Sequence, residues 1–171
     1  MTEDFRLWGD VPPGTPVHFH CSASQEGPDS RKWTDPRTTS RAVIAWTPEQ
    51  VVDWRRETLE KFRDRAHADY QERLDHWLTG DGSEWCWRAS LVGYACGKWS
   101  ADQYTLGEAS FLVVRVLPYA DTGTAPDPGR PGHHPYAVCT QHPRPTDTPY
   151  TGPDRTPEQL AAYGQPVSIG T

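Results

Sequence analysis

The stretch from Trp46 to Gly82 constrains the architecture more than any other part of the chain. Thr47 can cap a helix with its side-chain oxygen, and Gln50 completes a capping box. Pro48 suits the first helical position, where its missing N–H would have no intrahelical partner anyway. Trp46 and Val51 stand where a hydrophobic staple would join them. Leu59, Phe62, Ala66, Tyr70, Leu74 and Trp77 then recur at steps of three and four, which puts them on one face. Thr79-Gly80-Asp81-Gly82 ends the run. The spacing predicts one long amphipathic helix over about 47–79, roughly 45 Å in length. Its apolar stripe needs a surface to lie on.

Strand-like segments supply that surface. Val17-His18-Phe19-His20-Cys21 alternates, and Ala42-Val43-Ile44-Ala45-Trp46 is a compact apolar run feeding the helix. The segment 85–94 alternates in part and is rich in strand formers. Ser110 to Leu117 is the clearest strand, and Tyr136-Ala137-Val138-Cys139 is another. A second Thr-Pro-Glu-Gln, starting at Thr156, predicts a short C-terminal helix over about 157–163. Ten of the 17 prolines fall between 118 and 157, a density that forbids helix and confines strands to edges. The expected fold is a single α+β domain over 1–171. A small, mostly antiparallel sheet packs against the long helix, and an extended Pro-rich segment over 118–157 belongs to the same domain.

Only 35% of the residues are hydrophobic, and eight Trp and seven Tyr make up much of that share. Aromatic side chains serve cores and interfaces alike. Trp8, Trp33 and Trp99 lie in or beside loops and are the expected anchors for a protein partner or a second copy of the chain. A net charge of −6 argues against broad nucleic-acid binding, which requires clustered cations to neutralise phosphates. The first residues lack the basic flank and apolar core of a signal peptide, and no apolar run is long enough to span a bilayer. The expected location is the cytoplasm, where Cys21, Cys86, Cys96 and Cys139 would be thiols or metal ligands. Three Lys against fourteen Arg suggests the codon usage of a high-GC bacterium or its phage.

Two clusters carry metal chemistry. Alternate residues of a strand point the same way, so His18 and His20 share a face while Cys21 points to the other. Cys139-Thr140-Gln141-His142 is a C-x-x-H, a spacing that can put both groups on one ion. Together the halves could hold zinc through Cys139 and His142 with either His18 and His20 or Cys21. The expected set is Cys21, Cys139, His142 and His20. Cys86 and Cys96 fit no C-x-x-C and read as core thiols.

A second constellation is Glu108, Arg115, His133 and His134, whose types and order would suit a metal-independent nuclease or hydrolase with a base, a phosphate-binding cation and an acid. The plainer reading makes Glu108 a strand-entry residue, Arg115 a solvent-facing side chain and the histidines loop residues. Phosphate-binding glycine loops, dinucleotide fingerprints, G-x-S-x-G and H-E-x-x-H are absent. The sequence therefore points first to a non-enzymatic interaction factor, of an inhibitor, immunity or phage accessory or structural type. A zinc-stabilised binding domain and a small nuclease are the alternatives.

Overall fold

A computed structural model describes residues 11, 14–26, 42–80, 83–95, 97–107, 110–123 and 136–150. The strands are β1 (Val17–Glu26), β2 (Val43–Ala45), β3 (Ser100–Gly107), β4 (Ser110–Ala120) and β5 (Ala137–Val138). The helices are α1 (Pro48–Arg63), α2 (Ala68–Thr79) and α3 (Ser83–Ala95), giving an α+β fold. The open sheet runs β2-β1-β4-β3, antiparallel throughout, with two-residue β5 added parallel to the end of β4. The C-terminal helix expected near 157–163, Trp8, Trp33, Cys96, Glu108, His133 and His134 lie outside the described residues.

The start of α1 is as the sequence predicts. Thr47 Oγ1 accepts from Gln50 N at 3.2 Å, and Gln50 Oε1 accepts from Trp46 N at 2.7 Å, one residue earlier than a standard capping box. The long helix does not continue to residue 79, however. After α1 the chain makes tight turns, Arg65 N to Phe62 O and Ala66 N to Arg63 O, and the N–H of His67 leaves the helix for Thr105 O on β3 at 3.2 Å. A straight 30-residue rod would be about 45 Å long, whereas the 11 residues of β4 span about 36 Å. Beyond the break, Leu74 still joins the main core and Trp77 meets Tyr104 of β3 edge-on, with ring centroids 6.2 Å apart. An Arg63–Asp75 ion pair braces the two helices across the exposed corner. Gly80 caps α2 because a Cβ there would lie 2.6 Å from His76 O.

The segment 85–94 is helical and not a strand. Trp87, Leu91 and Tyr94 fall at steps of four and three, and all three pack into the core. Propensity differences amount to tenths of a kcal/mol per residue, whereas burying a large aromatic contributes about 2–3 kcal/mol, so packing decides the conformation. Strand β3 was not expected from the sequence, and β1 and β4 extend past their predicted ends.

The two faces of the sheet are used differently. Phe19 and Cys21 of β1, Leu112, Val114 and Val116 of β4 and Tyr104 of β3 face the helices, where Val51, Leu59, Leu74 and Trp87 complete the main core. Alternation turns His18 and His20 to the opposite face, beside Leu117 and Tyr119, their register partners on β4. There Leu117, Tyr119 and Cys139 form a second small core with Trp99 and Ala137.

Candidate metal centre

Residues 136–150 lie as a strap over the end of that second face. β5 holds the strap to β4, and Cys139 N donates to Ala120 O at 3.0 Å, which fixes the Cys139 side chain beside the His18–His20 pair. Three residues on, His142 turns back toward the same point. One potential ligand atom from each of His18, His20, Cys139 and His142 lies within 4.8 Å of every other.

Individual contacts resemble the edges of a coordination tetrahedron. His18 Nε2 and His20 Nε2 are 3.2 Å apart, and Cys139 Sγ and His142 Nδ1 are 3.3 Å apart. Tetrahedral zinc with ordinary bond lengths has N–N edges of about 3.4 Å and N–S edges of about 3.6 Å. The widest separation exceeds such an edge by little more than about 1 Å.

The surroundings prepare the nitrogens to act as ligands. His18 Nδ1 donates to Asp121 Oδ1 at 2.7 Å; a carboxylate only accepts, so the proton sits on Nδ1 and the Nε2 lone pair is free. Burial lowers the His18 pKa despite Asp121, which opposes it. Burial also pushes His20 down to about 4, helped by repulsion from His18 and His142. Both imidazoles are neutral at pH 7, the form that binds metal. The His20 ring stacks on Tyr119 with centroids 3.9 Å apart and meets His142 edge-on at 5.2 Å, so its orientation is fixed by packing.

Asp121 and Arg144 are the residues that sequence reasoning missed. Asp121 Oδ2 accepts from Arg144 Nε at 2.7 Å, so one carboxylate links a potential ligand on β1 to the strap. Arg144 also donates to Trp46 O at 2.9 Å and to Val17 O, and its guanidinium sits over the rings of Trp46 and Tyr150. Only the β1–β4 register could have revealed this. His18 lies opposite Tyr119, which places Asp121 just past the strand end within reach of the imidazole.

The other expected residues fall elsewhere. Cys21 is on the helix-facing side of β1, fully buried, with its thiol pushed up to about 12 by that burial. It stands outside the group, and His18 takes the place expected of it. Arg115 does not face solvent: it is 3% exposed and its Nη1 donates to Ser24 Oγ at 3.1 Å, so it offers no open phosphate site. Half-buried Trp99 packs against the second core of Leu117, Tyr119 and Cys139. Val43 is the sole exposed large hydrophobic among the described residues. Cys21, Cys86 and Cys139 are free thiols. Among the described residues no helix is long and apolar enough to cross a membrane. No family model, curated protein or solved structure matches the chain, so the chemistry of the centre is read from its own geometry.

Proposed function

We propose that this chain is a zinc-stabilised domain in which His18, His20, Cys139 and His142 hold one Zn²⁺ and fasten the strap to the sheet. The observation that carries the reading is the convergence of three imidazoles and one thiol from opposite ends of the sequence. Nitrogen and sulfur donors in a tetrahedral set suit zinc better than magnesium or calcium, which take oxygen. Four protein ligands fill the coordination sphere and leave no position for a substrate or an activated water, which makes the role structural. Binding the ion would deprotonate Cys139, whose thiolate would supply the negative charge among three neutral imidazoles.

Protein purified without a histidine tag and analysed for metals is expected to contain one equivalent of zinc. Replacement by cobalt(II) should give the visible bands of a tetrahedral ion and a sulfur-to-cobalt charge-transfer band. Less than a tenth of an equivalent of any transition metal, before and after reconstitution, rules the reading out.

Asp121→Asn probes the support of the site. An amide presenting its NH₂ to Nδ1 favours the wrong imidazole tautomer, and loss of such an outer partner commonly weakens metal binding by about 10–100-fold. Chelator competition should show that loss, with one equivalent still bound at saturating zinc. Unchanged affinity would mean that Asp121 serves only to hold Arg144.

A further inference from the structure

Among the described residues Arg144 bonds to none of the four potential ligands, yet it gathers the segments around them. Its Nε donates to Asp121 Oδ2 at 2.7 Å, just past the end of β4. Nη1 donates to Trp46 O at 2.9 Å, just past β2, and Nη2 donates to Val17 O at the start of β1. Three acceptors on three separate nitrogens suit the planar fork of a guanidinium, which the single ammonium of a lysine cannot span. The contact is well enclosed, with the side chains of Arg144 and Asp121 14% and 10% exposed. The Trp46 ring touches both ends of the arrangement: the guanidinium lies 5.3 Å from its centre and the His18 ring 5.0 Å from it.

The group that needs Arg144 is Asp121. Its main chain is already held, because Asp121 N donates to Pro16 O at 2.8 Å, but that bond leaves the side-chain torsions free. A carboxylate so little exposed has lost most of its water, and a neutral imidazole offers it one hydrogen bond and no countercharge. Arg144 supplies the countercharge. By engaging Oδ2 it also fixes the carboxylate plane, so that Oδ1 meets His18 Nδ1 at 2.7 Å. That bond in turn decides which ring nitrogen of His18 keeps its lone pair. We propose that Arg144 is a positioning residue of the metal centre: acting through Asp121, it holds His18 in the Nδ1–H tautomer and so leaves Nε2 ready for the ion. The proposal deepens the zinc reading and rests on it for its consequence, a metal affinity set in part by a residue that does not meet the metal.

Two measurements on the full chain test it. The first reads the imidazole ¹⁵N shifts of chelated, metal-free protein at about pH 8, where histidines are neutral, with His18 assigned through His18→Gln. Wild type should show a protonated Nδ1 and an unprotonated Nε2 at His18, and Arg144→Met should show the averaged shifts of a tautomer mixture. The second is zinc affinity by chelator competition. Arg144→Met should bind about tenfold more weakly than wild type. In the Asp121→Asn background, where His18 has already lost its acceptor, the same substitution should change affinity by less than about threefold. An unchanged His18 tautomer, an unchanged affinity, or an equal loss in both backgrounds each overturns the proposal; in the last case Arg144 only fastens the strap. Should Arg144→Met fail to fold, Arg144→Lys decides by the same readouts, because it keeps the charge but cannot reach all three acceptors. A wild type that binds no zinc defeats the zinc reading alone, since the tautomer is read without metal and still decides whether Arg144 positions His18.

Discussion

Cys139→Ser is expected to lose stoichiometric zinc and to melt about 10 °C below the zinc-loaded wild type. A ligand that binds only the folded state adds about 4 kcal/mol at a thousandfold excess over its Kd, and a domain of this size shifts by about 2–4 °C for each kcal/mol. Chelation of the wild type should produce the same drop, and adding chelator to Cys139→Ser should produce no further one. His142→Ala should behave likewise, because Cys139 and His142 both lie on the strap that the ion would tie down. Hydrogen exchange adds a spatial readout. Backbone amides of residues 136–150, Cys139 N above all, should lose protection while β1–β4 amides keep theirs. Cys21→Ala is the informative control. It removes a thiol from the main core at a cost of about 1 kcal/mol, and it should retain the full equivalent of zinc. Zinc lost from Cys21→Ala but kept by Cys139→Ser would refute the assignment of the ligands.

How far these residues could be found in advance follows from the range of each signal. The C-x-x-H spacing and the His18–His20 alternation are local, and both survive in the structure as two halves of one cluster. Which third and fourth ligands join Cys139 depends on which face of β1 meets the strap. The apolar character of Phe19 and Cys21 in fact settles that, since both belong to the helix-facing core. Reading Cys21 as a core residue leaves His18 and His20 together on the other side. The helix start was legible because capping is decided within four residues. The break before α2 was not: Phe62, Ala66 and Tyr70 keep helical spacing across it, and a hydrogen bond to β3, about 40 residues away, decides it. In α3 the Trp, Val and Tyr content masked a stripe of Trp87, Leu91 and Tyr94 that a helical template would have matched. Asp121 and Arg144 belong to no motif, because their roles depend on β-register and on a strap that crosses the chain end to end.

The largest purely structural effect is expected at Arg55, whose guanidinium joins α1 to α3 and to β3. Arg55→Met keeps most of the side-chain volume and removes the charge. The buried hydroxyl of Tyr104 then loses the guanidinium donor, that of Tyr94 keeps only Ser100 Oγ at 2.8 Å, and Asp102 loses its ion-pair partner. Breaking one side of a buried pair typically costs about 3–5 kcal/mol, but the Asp102 side chain is 34% exposed and recovers part of its hydration. A loss of about 3 kcal/mol is therefore expected, equivalent to a melting temperature lower by about 6–12 °C. The partner substitution should cost less. Asp102→Asn leaves Arg55 with its tyrosine and serine partners, keeps an oxygen to accept from Nη2, and should lose about 1 kcal/mol. Zinc content should not change in either variant, since the network lies on the helix-facing side of the sheet and the histidines on the other. Urea unfolding of the zinc-loaded proteins measures both losses. Should Arg55→Met fall within 1 kcal/mol of the wild type, the guanidinium hub does not hold the helical layer to the sheet, and the apolar contacts of Val51, Leu59 and Trp87 suffice by themselves.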